Sequence, residues 1–233
     1  GIGSKDSKVY CIVRQTEGDF VARMDSKGFV YVARMPGGWA VGGTCDENGA
    51  LLATTNEAGI WRLSDIDTLA GFSKPWDGMP KMEELGVTSA THGYDVVVWE
   101  GWLVSANGRG VVIVTDLADS GLTTRTLSRS GGDELPNQGC GAAFLSGGDV
   151  YVAGNGAGGL FRLELQLESG SYTATRVGGS EDAGTIDGLY CVNAADAGPQ
   201  PEPDGGIKDA VVRAAFPPVA ALVAVTLTAW ATT

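Results

Sequence analysis

Few side chains in this 233-residue sequence have the types and spacings that chemistry needs. The single histidine, His92, stands in "SATHGYD" with Asp95 three positions on. A histidine beside a carboxylate is the pattern of a general base, because imidazole titrates near neutrality and a carboxylate can orient it. The competing expectation is a hydrogen-bonded loop histidine, since Ser and Asp are ordinary loop residues. Glu83, Glu84, Asp95, Glu100, Asp133 and Glu134 are the carboxylates that a lyase or glycan-active hydrolase would have to gather at one channel mouth. No catalytic residue is assigned from them. Trp76 is the tryptophan picked as a ligand contact, together with His92 and Asp95; its other role would be to pack down its own loop.

With one histidine, any metal would rest mainly on carboxylates. "DSKG" (25–28), "DENG" (46–49) and "SGGD" (146–149) carry oxygens of the kind calcium takes. They lack the D-x-D-x-D-G spacing of a calcium loop and are assigned to turns, with calcium the one cofactor left open. "GNGAGG" (154–159) has the glycine density of a phosphate-cradling loop but no helix after it, so it fails its context test. Cys11, Cys45, Cys140 and Cys191 include no C-x-x-C pair, which argues against zinc and redox motifs. Their even number in a glycine-rich chain suggests one or two disulfides in an oxidising compartment, with three pairings open; buried thiols are the alternative.

These residues are positioned by a repeat. "NGALLATTNEAGIWRLSD" (48–65), "EGWLVSANGRGVVIVTDL" (100–117) and "GGDVYVAGNGAGGLFRLEL" (147–165) share one skeleton. An apolar run leads to an asparagine (Asn56, Asn107, Asn155), then a glycine (Gly59, Gly110, Gly158), then a second apolar run. The asparagines lie 51 and 48 residues apart, and a looser copy, "KVYCIVRQTEGDFVARMD" (8–25), opens the chain. A period near 50 with several short strands per unit is propeller-like. Alternation and Asn-Gly punctuation predict four antiparallel strands per unit, among them "WLVSA" (102–106), "LTTRTLS" (122–128), "CGAAFLS" (140–146) and "DVYVAG" (149–154), and the asparagines are assigned to turns.

The expected fold is therefore an all-β propeller over residues 1–194, with four blades of four strands at about 8–38, 39–93, 94–135 and 136–192. "KVYCIVRQ" is expected to open the ring with no innermost strand ahead of it. "DGLYCVNA" (187–194) would pair beside it and close the ring, setting Cys11 and Cys191 on neighbouring strands and hiding two sheet edges. The rival is a portion of a larger propeller, as the chain starts at "GIGSKDS" without Met. The rhythm breaks at 65–90, taken as an insertion on one rim with a short helix-capable run at Lys81–Leu85. Hydrophobic residues at 43% can fill one sizeable core, and 36 glycines suit hairpins better than helices.

After a Pro-rich acidic linker (195–213), residues 214–233 form a hydrophobic tail, uncharged over 214–231. Small residues, a polar spacer and a terminal apolar run make the pattern of a glycolipid (GPI) attachment signal, with Asp204, Gly205 and Gly206 as the attachment neighbourhood. A retained transmembrane anchor and a helix packed against the protein are the alternatives; Pro217-Pro218 and the lack of following basic residues count against the former. No signal peptide is visible, so export is inferred from the tail and the cysteines. A net charge of −12 with scattered Lys and Arg excludes a nucleic-acid backbone as partner.

"CGAAFLSGGDVYVAGNGAGGLFRLEL" followed by "IDGLYC" resembles the closing part of a secreted β-propeller family of uncharacterised function. That family is similar to the NHL and streptogramin-lyase-like propeller groups. The resemblance covers about residues 136–192, while 1–135 shares only the rhythm. It implies a rigid platform in an exported or surface protein. The lyase-like members use a histidine-centred, metal-dependent site, and with His92 alone no matching set of positions exists here. The expected function is a cell-surface or secreted binding and adhesion scaffold for an extracellular protein or glycan, held to the membrane by its tail. The alternative is a secreted propeller enzyme using the loop carboxylates.

Overall fold

Apolar alternation between glycine-rich turns yields short antiparallel strands, as period-2 patterning requires. A computed structural model describes residues 2–3, 9–25, 28–37, 39–46, 48–93, 95–107, 110–156, 158–179 and 190–191. Among them the helical content is one 3-10 turn, Ile66–Thr68. The first antiparallel meander contains β1 (Ile2–Gly3), β2 (Val9–Gln15), β3 (Gly18–Asp25) and β4 (Gly28–Met35). The second contains β5 (Ala40–Cys45), β6 (Leu51–Thr55), β7 (Gly59–Leu63) and β8 (Glu83–Val87). The third contains β9 (Val97–Trp99), β10 (Trp102–Ala106), β11 (Val112–Asp116) and β12 (Thr124–Gly132). The fourth contains β13 (Cys140–Ser146), β14 (Asp149–Gly154), β15 (Gly159–Gln166) and β16 (Ser171–Gly178), and β17 (Tyr190–Cys191) lies beside β1.

The arrangement is propeller-like because the middle strands bury both faces. Every residue of β6 is buried. Leu51 and Ala53 join a core with Tyr10, Val21 and Val32 of the first meander. Leu52, on the opposite face, joins Val96, Val98 and Leu103 of the third. Val104 and Val114 pack on Val152 and Phe161 of the fourth. The second and third meanders thus each lie between two neighbours, and burying a Val or Leu there is worth about 1.5–3 kcal/mol. The innermost strands also touch in a cycle: β5 meets β9, β9 meets β13, β13 meets β17, and β17 and β1 both meet β5.

Three expectations need correction. The late strand does not pair with "KVYCIVRQ". Tyr190–Cys191 runs parallel to Ile2–Gly3, and Ile2–Gly3 in turn pairs with Val9 and Tyr10. A short innermost strand therefore precedes β2, and Cys191 sits two strands from the one bearing Cys11. Two strand spacings amount to roughly 10 Å, beyond disulfide reach. No disulfide joins any two of Cys11, Cys45 and Cys140 either, and burial pushes the Cys140 thiol up to about 12. The side chain of Cys191 lies outside the described residues, as do Asp204, Gly205, Gly206, the linker and the tail. Among the described residues no helix is long and apolar enough to cross a membrane.

The helix-capable run Lys81–Leu85 instead enters strand β8, antiparallel to β7 through Arg62↔Glu83 and Trp61↔Glu84. Alternation there is obscured because the strand is an outer, largely exposed one. The preceding segment forms a strap over the free edge of β4. Tyr31 and Phe72 exchange two backbone bonds of 2.8 Å, and Arg34 N–H donates to Pro80 O at 2.7 Å. The Tyr10 hydroxyl donates to Asp67 Oδ1 (2.9 Å), and the Arg23 guanidinium donates to Leu69 O (3.0 Å). Burial, followed by the Asp67 contact, pushes the Tyr10 phenol pKa up.

The third correction concerns β12, which outruns its expected end at residue 128. Thr124–Leu127 pair with β11, while Ser128–Gly132 pair in parallel with β16. One strand therefore serves two meanders and makes them a single eight-stranded sheet. Gly132 ends the junction with φ +75°, and a Cβ there would lie 2.0 Å from Ala174 O. Gly132→Ala should destabilise the protein by about 2–4 kcal/mol, seen as a lower thermal midpoint. Gly131→Ala, whose Cβ would meet only Thr173 Oγ1 at 4.0 Å, should change it little. Equal effects of the two would contradict the strand-sharing junction.

Candidate functional site

His92 lies in the connection from β8 to β9, where the backbone passes over the inner end of the third meander. In the β10–β11 ladder Leu103 faces Thr115 and Ser105 faces Ile113, so Ser105 and Thr115 share the Leu103 side of the sheet. His92 fills the space between them. It is 4% exposed, with Nδ1 at 2.9 Å from Ser105 Oγ and Nε2 at 2.9 Å from Thr115 Oγ1.

Proton counting fixes the direction of every bond. The Thr124 hydroxyl donates to Leu122 O (3.0 Å), so it must accept from Thr115, 2.9 Å away. Thr115 has then spent its only proton and must accept from His92 Nε2–H. His92 Nδ1 is left as acceptor for the Ser105 hydroxyl, which itself accepts Gly93 N–H at 3.2 Å. The chain runs from Gly93 through Ser105, His92, Thr115 and Thr124 to the Leu122 carbonyl. Burial lowers the His92 pKa to about 4. A second ring proton would also face the Ser105 proton directly.

Of the two readings of His92, the pair with Asp95 is not formed, because both ring nitrogens are engaged elsewhere. Asp95 is buried, and its carboxylate accepts Val96 N–H (3.0 Å) and Ala143 N–H (2.9 Å), tying the start of β9 to β13. The other carboxylates are spread over the molecule. Glu83 and Glu84 lie on outer strand β8, and Glu100 sits in the β9–β10 turn. Asp133 accepts Arg176 N–H after β12, next to exposed Glu134. Among the described residues no three or more His, Cys, Asp or Glu side chains come together as a metal site. In "DENG", Asp46 Oδ1 accepts the N–H groups of Asn48 and Ala50, while Oδ2 pairs with Arg62 at 3.1 Å. That carboxylate is used by the turn and its neighbouring strand.

Trp76 is 53% exposed on the strap. Its ring meets Phe72 edge-on at 5.9 Å and lies where a Cβ on Gly78 would have to be, so it holds the loop's own shape. The repeated asparagines do turn and bridging work. Asn56 exchanges bonds with the backbone of Trp39, Asn107 Oδ1 accepts Val111 N–H, and Asn155 N–H donates to Gly139 O.

The residues that sequence reasoning missed are at that Asn56 contact. Trp39, just before β5, is 58% exposed. The Arg14 guanidinium lies 3.8 Å from its ring centroid. Arg14 Nε and Nη2 form a fork on Asp19 Oδ1 (3.0 Å) and Oδ2 (3.1 Å). Asp19 is buried, and its Oδ2 also accepts Ala40 N–H at 2.9 Å. The first two meanders thus clamp an exposed indole by a cation–π contact and two backbone anchors. One signal was available: Trp61 occupies the aromatic position of the repeat skeleton, whereas Trp39 has no counterpart in the other units.

No family model and no curated protein matches the chain. Among solved structures it is similar to the WD40 domain of Toxoplasma gondii coronin, at 8% identity and a TM-score of 0.44, over 70% of this chain and 41% of that one. It is also similar to a quinonprotein alcohol dehydrogenase-like protein from Bacteroides thetaiotaomicron VPI-5482, at 16% identity and a TM-score of 0.36, over 79% of this chain and 46% of that one. The chain spans less than half the length of either.

The histidine chain has a pH signature. His92 is neutral in the fold down to about pH 4 but protonates near 6.5 when unfolded. Its contribution is complete above the unfolded value and is lost as pH falls from there through the folded one. Between those pH values stability should fall by about 1.4 kcal/mol per pH unit more in the native protein than in His92→Asn. Denaturant unfolding of both across pH 4–7 measures this, and superimposable slopes would refute it. Nitrogen-15 NMR at neutral pH should find the Nε2–H tautomer alone.

Proposed function

We propose that this protein is a four-bladed β-propeller serving as a non-catalytic binding scaffold, exported and held at the cell surface by its C-terminal tail. The cyclic contact of β1, β5, β9, β13 and β17 supports the blade count. Grouping with the NHL and streptogramin-lyase-like propellers rests on the resemblance over residues 136–192. The observation that carries the binding role is the Trp39–Arg14–Asp19 clamp. An indole left 58% exposed yet fixed by its neighbours loses little entropy when a partner covers it. The enzyme alternative is the weaker one, since His92 is committed to interior hydrogen bonds and the six carboxylates lie on different strands and turns. The partner is an extracellular protein or glycan, and tethering rests on the sequence of residues 214–233.

Expression of the full chain in a secreting eukaryotic cell tests this. The protein should appear on the surface and be released by phosphatidylinositol-specific phospholipase C. Cells displaying it should adhere to a glycoprotein-coated plate more than control cells do. The double variants Glu83→Gln/Glu84→Gln and Asp133→Asn/Glu134→Gln should leave adhesion unchanged. Surface protein that resists the phospholipase would favour a peptide anchor, and no gain in adhesion would overturn the scaffold role.

A further inference from the structure

We infer that Trp39 is a stacking platform for a neutral hexose ring of a glycan chain, with Arg14 supporting the ring from behind and Asn56 as a flanking hydrogen-bond donor. The inference rests on the scaffold role and specifies its ligand. Two donors lie at the exposed indole. Asn56 uses Oδ1 on Trp39 N–H, leaving Nδ2, and Trp39 contributes Nε1. Neither donates a hydrogen bond among the described residues. The carboxylate of Asp19 is saturated by Arg14 and Ala40 N–H. The platform is therefore rich in donors and aromatic surface, matching a ligand with hydroxyl acceptors and an apolar face of C–H bonds. A pyranose ring has both.

Size and charge select among partners. The side chains that hold Trp39 are those of Arg14 and Asn56, both polar and exposed. One indole framed by polar side chains suits a single sugar ring better than the apolar centre of a protein–protein interface. The chain's net charge of −12 disfavours acidic sugars. The guanidinium behind the ring is neutralised by Asp19 at 3.0 Å and acts as a fixed support.

The test uses the full chain, with maltohexaose, cellohexaose and mannohexaose as neutral probes and a galacturonate trimer as the acidic probe. Titration calorimetry gives affinity, and quenching of tryptophan emission gives contact. At least one neutral probe should bind with Kd at or below ~1 mM. Trp39→Ala should weaken it by about tenfold or more, while Trp76→Ala, equally exposed on the strap, should change it by less than about twofold. Trp39→Phe keeps a ring but loses Nε1 and should fall between, so the comparison survives if the alanine variant does not fold. Binding unaffected at Trp39, binding of galacturonate alone, or no binding of any neutral probe would each overturn the inference. Displaying cells that still adhere while every sugar fails would sink the sugar site and leave the scaffold standing. Loss of both would remove both.

Discussion

The structure depends on sheets that are apolar on both faces. A four-stranded meander with one dry and one wet face could rest on a single partner. β6 has no solvent side, and β10 and β11 are nearly as enclosed. The second and third meanders must therefore each be flanked twice, and the four pack in sequence order with their innermost strands touching in a cycle. Radial stacking follows from where the leucines and valines fall along each strand, before any loop is considered.

Stacking alone leaves outer edges open, and two devices cover them. The strap before β8 lies along β4, and β12 changes partner from β11 to β16 halfway along. Both satisfy backbone donors and acceptors that would otherwise template association with another chain. Both also join adjacent meanders, first to second and third to fourth. The boundary between second and third is built differently. There His92, Ser105, Thr115 and Thr124 form a polar seam within a core that also holds Leu52, Ile60 and Leu103. Such a seam tolerates only its own register, because a shift of one residue would leave a buried imidazole without partners.

The exposed clamp at Trp39 belongs to the same construction. Asp19 holds Arg14 from β2, the N–H of Ala40 at the head of β5, and, through Arg14, the indole. One buried carboxylate aligns two meanders and sets the posture of a surface aromatic. The alignment of the two meanders and the fixed posture of the ring therefore have the same source.

Much of this was legible in the chain. The repeat skeleton, the alternation and the turn glycines placed β10, β13 and β14 at their true limits, and the asparagines as turn residues. These features are local, set by strand periodicity and turn sterics within a few residues. What the sequence could not disclose were partners far apart along it. Exposed β8 lacks alternation, and a parallel pairing across some forty residues leaves no periodic trace, so the strap and the shared strand went unseen. His92 is the hydrogen-bonded loop histidine that the sequence allowed, but its partners were not legible, because the hydroxyls it meets lie 13 and 23 positions away on strands folded beneath it. The clamp of Arg14 on Trp39 was invisible for the same reason. The sequence determined which strands form and which faces they must hide; only the tertiary structure decided which side chains meet across them, because those contacts depend on the relative placement of whole sheets.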